Sequence, residues 1–140
     1  MIAYFDTSAV LPLIIEEPAS EPAGRLWDDA SRVVSVRLLY PEARAALAQA
    51  RRTGRLTSRQ LRSAVAELEA LDQQLDHVEV TAVLATRAGE LAETHALRGY
   101  DAVHLAAAEA IADADVVMVA GDQALSAAAG ALGLATAQLD

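Results

Sequence analysis

The chain has no cysteine and no lysine, and its aromatic residues are one phenylalanine, one tryptophan and three tyrosines. Without cysteine there is no disulfide scaffold, no thiolate zinc or iron–sulfur site and no cysteine nucleophile. Long apolar stretches are also missing. The longest uninterrupted one, Ala9 to Ile15, already contains Pro12 and stops at Glu16-Glu17, well short of the ~20 residues a membrane helix needs. The N-terminus lacks a basic segment and carries Asp6 where a secretion signal requires apolar residues, so a cytoplasmic protein is expected.

What is present fits one domain over residues 1–140. The hydrophobic fraction is 54%, above the ~45–50% usual for soluble domains, which excludes wholesale disorder. Lys+Arg 11 against Asp+Glu 20 leaves a net charge of −9, too acidic for non-specific nucleic-acid binding by the chain as a whole. The positive charge is nevertheless concentrated. Arg37, Arg44, Arg51, Arg52, Arg55, Arg59 and Arg62 lie in one window with Glu42 as its only acid.

Ile2–Phe5 reads as a buried strand that ends at Asp6, with Thr7 or Ser8 capping the next segment. A helix around Ser20–Ala30 carries Trp27, and Val33–Val36 is a second strand. Pro41 suits a first helical turn, and Glu42–Arg52 continues it until Gly54. Thr57 opens a helix whose Leu61, Val65, Leu68, Leu71 and Leu75 share one face. That stripe reads first as core or helix-pair packing and second as a partner surface. Val78–Val80 can form a short strand. Thr81 caps a helix to about His95 that Gly99 breaks, and Tyr100–Ala112 is an alanine-rich helix. Asp115–Ala120 is the clearest buried strand, followed by a turn at Gly121-Asp122 and a last helix, Gln123–Ala131, closed by Gly133. Alternating strands and helices imply an α/β fold, a short parallel sheet flanked by helices on both faces.

Ligands of such sheets bind beyond the carboxyl ends of the strands, which directs attention to Asp6 and Asp122. Each acid has an ordinary explanation when taken alone. Asp6 suits a turn, Asp122 suits an N-cap, and Glu42 and Asp101 complement the positive end of a helix. As a set they mean more. Carboxylates gathered at one edge repel one another unless a cation is present. Oxygen-only ligands suit Mg²⁺ or Mn²⁺, ions that activate water and neutralise charge in phosphate chemistry.

The run Tyr4-Phe5-Asp6-Thr7-Ser8-Ala9, then Tyr40-Pro41-Glu42, then Leu97 to Ala108 through Arg98-Gly99-Tyr100-Asp101, and finally Gly121-Asp122 resemble the ordered acidic motifs of PIN domains. More narrowly they resemble the VapC-type toxins of bacterial toxin–antitoxin pairs. The resemblance spans nearly the whole chain. It implies a flavodoxin-like, PIN-like sheet and an endoribonuclease dependent on Mg²⁺ or Mn²⁺. Asp6, Asp101 and Asp122 would act as metal ligands, with Glu42 a further candidate, and all four as the catalytic acids. It also implies an antitoxin partner and a homodimer. Ala120 departs from the pattern, standing where family members often carry Thr or Ser.

Around these acids, Thr7, Ser8 and His104 are candidate supporting residues. Arg44, Arg51 and Arg52 are candidate contacts for RNA phosphates, unless they form only a solvated face with two of them at a helix C-terminus. His77 and His95 lack ligand partners at useful spacing. A serine-hydrolase triad of Ser8, His104 and Asp101 lacks the Gly-x-Ser-x-Gly elbow. Dehalogenase-type phosphatases need an acid at the position of Ser8, and response receivers need a late lysine, so both rank low. A PIN-like module working only by partner capture remains the alternative to an RNA-cleaving enzyme.

Overall fold

Four apolar runs, each followed by a turn and a helix, demand a sheet covered on both sides. The computed structural model, which describes residues 1–139, has that architecture with one strand more. Strands β1 (Ile2–Phe5), β2 (Arg32–Val36), β3 (Asp76–Val78), β4 (Val116–Ala120) and β5 (Ala135–Gln138) form one sheet in the order β3-β2-β1-β4-β5. Every pairing is parallel. The chain moves outward from β1 through β2 and β3, then crosses to the other side of β1 for β4 and β5. The order therefore reverses between β1 and β4, the kind of point where such sheets open a crevice for ligands. Asp6 and Gly121-Asp122 directly follow those two strands.

Alternation along β1 assigns the two cores. Tyr4 joins Val34, Val36, Met118 and Ala120 beneath α5 (Ala82–His95), α6 (Gly99–Ala110) and α7 (Gln123–Ala131). Ala3 and Phe5 join Val33 and Val119 on the opposite face. That face is covered by α1 (Thr7–Val10), the 3-10 turn Leu11–Leu13, α2 (Ser20–Asp29), α3 (Leu39–Arg52) and α4 (Ser58–Gln74). Trp27 stacks edge-on against Phe5, ring centroids 5.4 Å apart, and so serves this core. The stripe on α4 is core as well, with Leu68 fully buried and Leu61, Val65 and Leu71 packed against the same cluster. On the other side small residues bring α6 close to the sheet, since Ala102, Ala106, Ala107 and Ala108 are all buried.

Local chemistry accounts for most boundaries. Thr57 and Gln60 close a reciprocal capping box at the start of α4, satisfying two otherwise unpaired N–H groups. Thr81 caps α5. Gly54 and Gly133, both at φ +83°, take the left-handed conformation that terminates helices and that L side chains resist.

Four expectations need correction. Neither Thr7 nor Ser8 caps α1: Asp6 does, accepting from the Ala9 N–H. The third strand is Asp76–Val78, two residues earlier than expected, because pairing with Val34–Val36 sets its register. Ala96, not Gly99, ends α5 in the left-handed region at φ 53°, and Gly99 opens α6. The edge strand β5 was not foreseen. Of its residues, largely exposed, only Thr136 favours a strand, and two alanines and a glutamine around it give no alternating apolar pattern. The partner strand β4 and buried Leu139, whose N–H reaches the Ala120 carbonyl, hold it in place.

Candidate active site

Asp6 emerges from the carboxyl end of β1 and is only 3% exposed. Its carboxylate accepts from the Ser8 hydroxyl at 2.8 and 2.9 Å and from the Ala9 N–H at 3.0 Å. Ser8 in turn accepts from the Gly121 N–H at 2.8 Å, which ties the end of β1 to the end of β4. A side chain at Gly121 would crowd that hydroxyl, meeting Ser8 Oγ at 3.3 Å. Among the described residues no arginine or histidine forms an ion pair with Asp6. Burial pushes its pKa up from an ordinary 3.8 to about 6, with Asp101 adding to the rise while His104 and the Ser8 and Ala9 hydrogen bonds oppose it.

Glu42, in the first turn of α3, is held differently. Its Oε1 accepts from the Thr7 hydroxyl at 3.0 Å and from His104 Nε2 at 2.8 Å. A carboxylate only accepts, so the ring proton lies on Nε2. The opposite nitrogen, Nδ1, then accepts from the Tyr4 hydroxyl at 2.8 Å. Burial pushes the Tyr4 phenol far above its ordinary pKa, so it keeps the proton it donates. Tyr4 and His104 are both essentially inaccessible and meet edge to face, 5.9 Å between centroids. A continuous chain of donors runs from Tyr4 through His104 to Glu42, with Thr7 closing it.

The other two acids are partnered by an arginine. Asp101, in the first turn of α6, has a side chain 16% exposed, and Asp122 one that is 31% exposed. Asp122 caps α7, its Oδ1 accepting from the Ala124 and Leu125 N–H groups. Arg98 spans the pair, its Nε donating to Asp101 Oδ2 at 3.0 Å and its NH2 lying 3.7 Å from Asp122 Oδ2. All four acids thus act on one neighbourhood. Asp101 raises the Asp6 pKa, while Asp101, Asp122 and Glu42 together raise that of Arg98. Among the described residues no three acidic or histidine side chains form a ready metal cage. The outer oxygens are turned instead toward Arg98 and the backbone of α7.

The chain as a whole has counterparts among known proteins. A family model described as the PIN domain matches residues 3–131. The chain belongs to the PIN domain family. It is 45% identical to ribonuclease VapC45 of Mycobacterium tuberculosis over 141 aligned positions, covering 99% of this chain and 98% of the relative. In fold it resembles the crystal structure of M. tuberculosis VapC20, a sarcin-ricin loop cleaving toxin, with a TM-score of 0.69, 24% identity and coverage of 90% and 94%. It likewise resembles a toxin–antitoxin complex from Klebsiella pneumoniae, with a TM-score of 0.62, 15% identity and 86% coverage of each chain.

In this PIN domain the structure sorts the remaining candidates. Thr7, Ser8 and His104 all touch a site carboxylate. Arg44 does not. Two positions beyond Glu42, it turns from the site to donate to the Tyr40 hydroxyl at 2.8 Å and lie over that ring. Arg51 and Arg52 bond Ser58 and Gln49 at the far end of α3, roughly 14 Å along the axis from Glu42 at 1.5 Å per residue. The arginine that reaches the carboxylates is Arg98, and sequence reasoning passed over it. Tyr4 was missed too, because a tyrosine in a buried strand reads as core. Ala120 is fully buried in the core beneath α6 and α7, and the hydroxyl that supports Asp6 comes from Ser8.

Proposed function

We propose that this PIN domain is an endoribonuclease acting as the toxin of a toxin–antitoxin pair, with Asp6, Glu42, Asp101 and Asp122 as its catalytic carboxylates. The observation that carries this reading is Asp6, a carboxyl buried to 3% exposure with only neutral hydrogen-bond donors around it. Beside three further acids, it suits an oxygen-liganded divalent cation. Oxygen donors of this kind suit Mg²⁺ or Mn²⁺, which Asp6, Asp101 and Asp122 would hold, with Glu42 as a further ligand. When bound, such an ion supplies a nucleophilic water and neutralises charge on a phosphodiester.

The chain's own residues do the rest. The Ser8 hydroxyl and the Ala9 N–H orient Asp6. The Tyr4–His104 pair fixes the Glu42 carboxylate, which orients the attacking water and takes up its proton. Arg98, at the rim, meets the phosphate. The likeness in fold to a chain of a toxin–antitoxin complex supports an antitoxin partner. We infer a homodimer as well, with Val80 and Val83 among the exposed apolar side chains available to it. Among the described residues no helix is long and apolar enough to cross a membrane.

The test is direct. Purified protein cleaves RNA with Mg²⁺ or Mn²⁺ and stops with EDTA. D6N and D101N each lose at least 100-fold in rate while keeping the native circular dichroism, a loss at the upper end of that caused by disturbing mere outer-shell partners. Full activity in both variants refutes the assignment. Antitoxin binding with no cleavage by the unaltered chain favours a partner-capture module.

A further inference from the structure

The carboxylate pocket contains a cation of its own. Arg98 stands at the N-cap position of α6 but makes no capping bond. Its side chain is 81% exposed. Among the described residues its ion-pair partners are Asp101 and Asp122, which belong to different helices and are brought together at the end of the sheet. The inner acids are already provided for, Asp6 by Ser8 and Ala9, Glu42 by Thr7 and His104. The guanidinium therefore sits on Asp101 and Asp122, the two site carboxylates that Thr7, Ser8 and His104 do not reach.

Resting on the metal-dependent reading above, we propose that Arg98 is a place-holding cation, competing with the divalent ion for Asp101 and Asp122 and passing to an RNA phosphate when the ion binds. The competition follows from geometry. An ion shared by Asp6 and Asp101 would bind the same carboxylate whose Oδ2 accepts from Arg98 Nε at 3.0 Å, and two cations on one carboxylate repel. The transfer follows from chemistry. A guanidinium is a planar fork suited to phosphate oxygens, and this one lies on a side chain that is 81% exposed. Once released, it has nothing at the rim to pair with until a polyanion arrives. Arg98 is a positioning residue toward the ion and a binding residue toward RNA.

The experiment titrates Mn²⁺ alone, by calorimetry at low ionic strength, into the full chain and into R98Q, R98K and R25Q. Among the described residues Arg25 pairs with Glu21 on the solvent-facing side of α2, so R25Q removes the same charge away from the pocket. The expected result is Mn²⁺ affinity about 3- to 10-fold tighter in R98Q, intermediate in R98K and unchanged in R25Q; one exposed ion pair sets the lower end of that range. For a short single-stranded RNA with saturating Mn²⁺, KM rises in R98Q with a smaller change in kcat, and the salt dependence of KM flattens by nearly one ion. Equal or weaker Mn²⁺ binding by R98Q, or equal tightening by R25Q, overturns the proposal and leaves the nuclease reading standing. Failure of every variant to bind Mn²⁺ overturns both.

Discussion

The inner and outer carboxylates of this pocket are held by opposite physics. Asp6 and Glu42 are held by hydroxyl, imidazole and backbone N–H donors that secondary structure places for them. Asp101 and Asp122 stand at the rim, one beside an arginine and the other also capping a helix. Neutral hydrogen bonds fix a carboxylate's position without cancelling its charge. An exposed ion pair cancels charge but is weak and easily exchanged. The inner pair is thus pre-organised and electrically unspent, and the outer pair is neutralised and exchangeable. A site built this way keeps its geometry while its charge partner changes.

The comparison breaks most visibly at Asp6. Its carboxyl titrates near pH 6 in the folded chain against an ordinary 3.8, so the native state prefers the neutral acid. For an acid raised in this way, stability falls as pH climbs from about 4 to about 6 and the penalty is complete above that. The shift corresponds to ~3 kcal/mol. Two outcomes are expected in chelator. D6N, whose Oδ1 still caps α1, melts higher than the unaltered chain at pH 7.5 and loses the fall between pH 4 and 6. Divalent ion then restores stability to the unaltered chain, by ~1–3 kcal/mol at accessible concentrations, and not to D6N. Thermal melts across pH check both; equal melting of the two proteins in chelator removes the idea of an uncompensated inner charge.

Glu42 gives the next effect. Y4F deletes the hydroxyl that donates to His104 Nδ1 and leaves a buried nitrogen unpaired, at a cost of about 1–3 kcal/mol. Because that proton holds the ring that holds Glu42, RNA cleavage falls by about tenfold with metal affinity little changed. Denaturant melts and single-turnover cleavage read the two parts separately. A Y4F protein as stable and as active as its parent would mean that Glu42 is not positioned through His104.

How much of this was visible beforehand follows the same division. The four carboxylates could be named because each sits at a punctuated place, after an apolar strand or in a first helical turn. The parallel sheet could be named from the apolar runs that precede them. The contacts between elements could not. Tyr4 meets His104 across 100 residues, and nothing local to either marks the pairing. Arg98 stood inside the strongest motif, yet its importance lies in Asp122, which only the fold brings near. The third strand moved by two residues because a register is a property of its partner, and β5 exists for the same reason.

The arginines of α3 supply the smallest effect and the clearest contrast with Arg98. Their density in sequence suggested an RNA-binding face next to the acids. A helix 14 residues long separates its ends by about 20 Å, so Glu42 in its first turn and Arg51 and Arg52 in its last cannot serve one phosphate. Cations at that end complement the helix dipole, which explains them without RNA. R51Q and R52Q together are expected to shift stability by no more than roughly 0.5 kcal/mol, as surface substitutions do, and to leave kcat, KM and Mn²⁺ affinity unchanged, whereas R98Q alters the last two. A KM increase in the double variant matching that of R98Q would extend the RNA path along α3, and the charge that meets the substrate would then be spread over the helix, not concentrated at the rim.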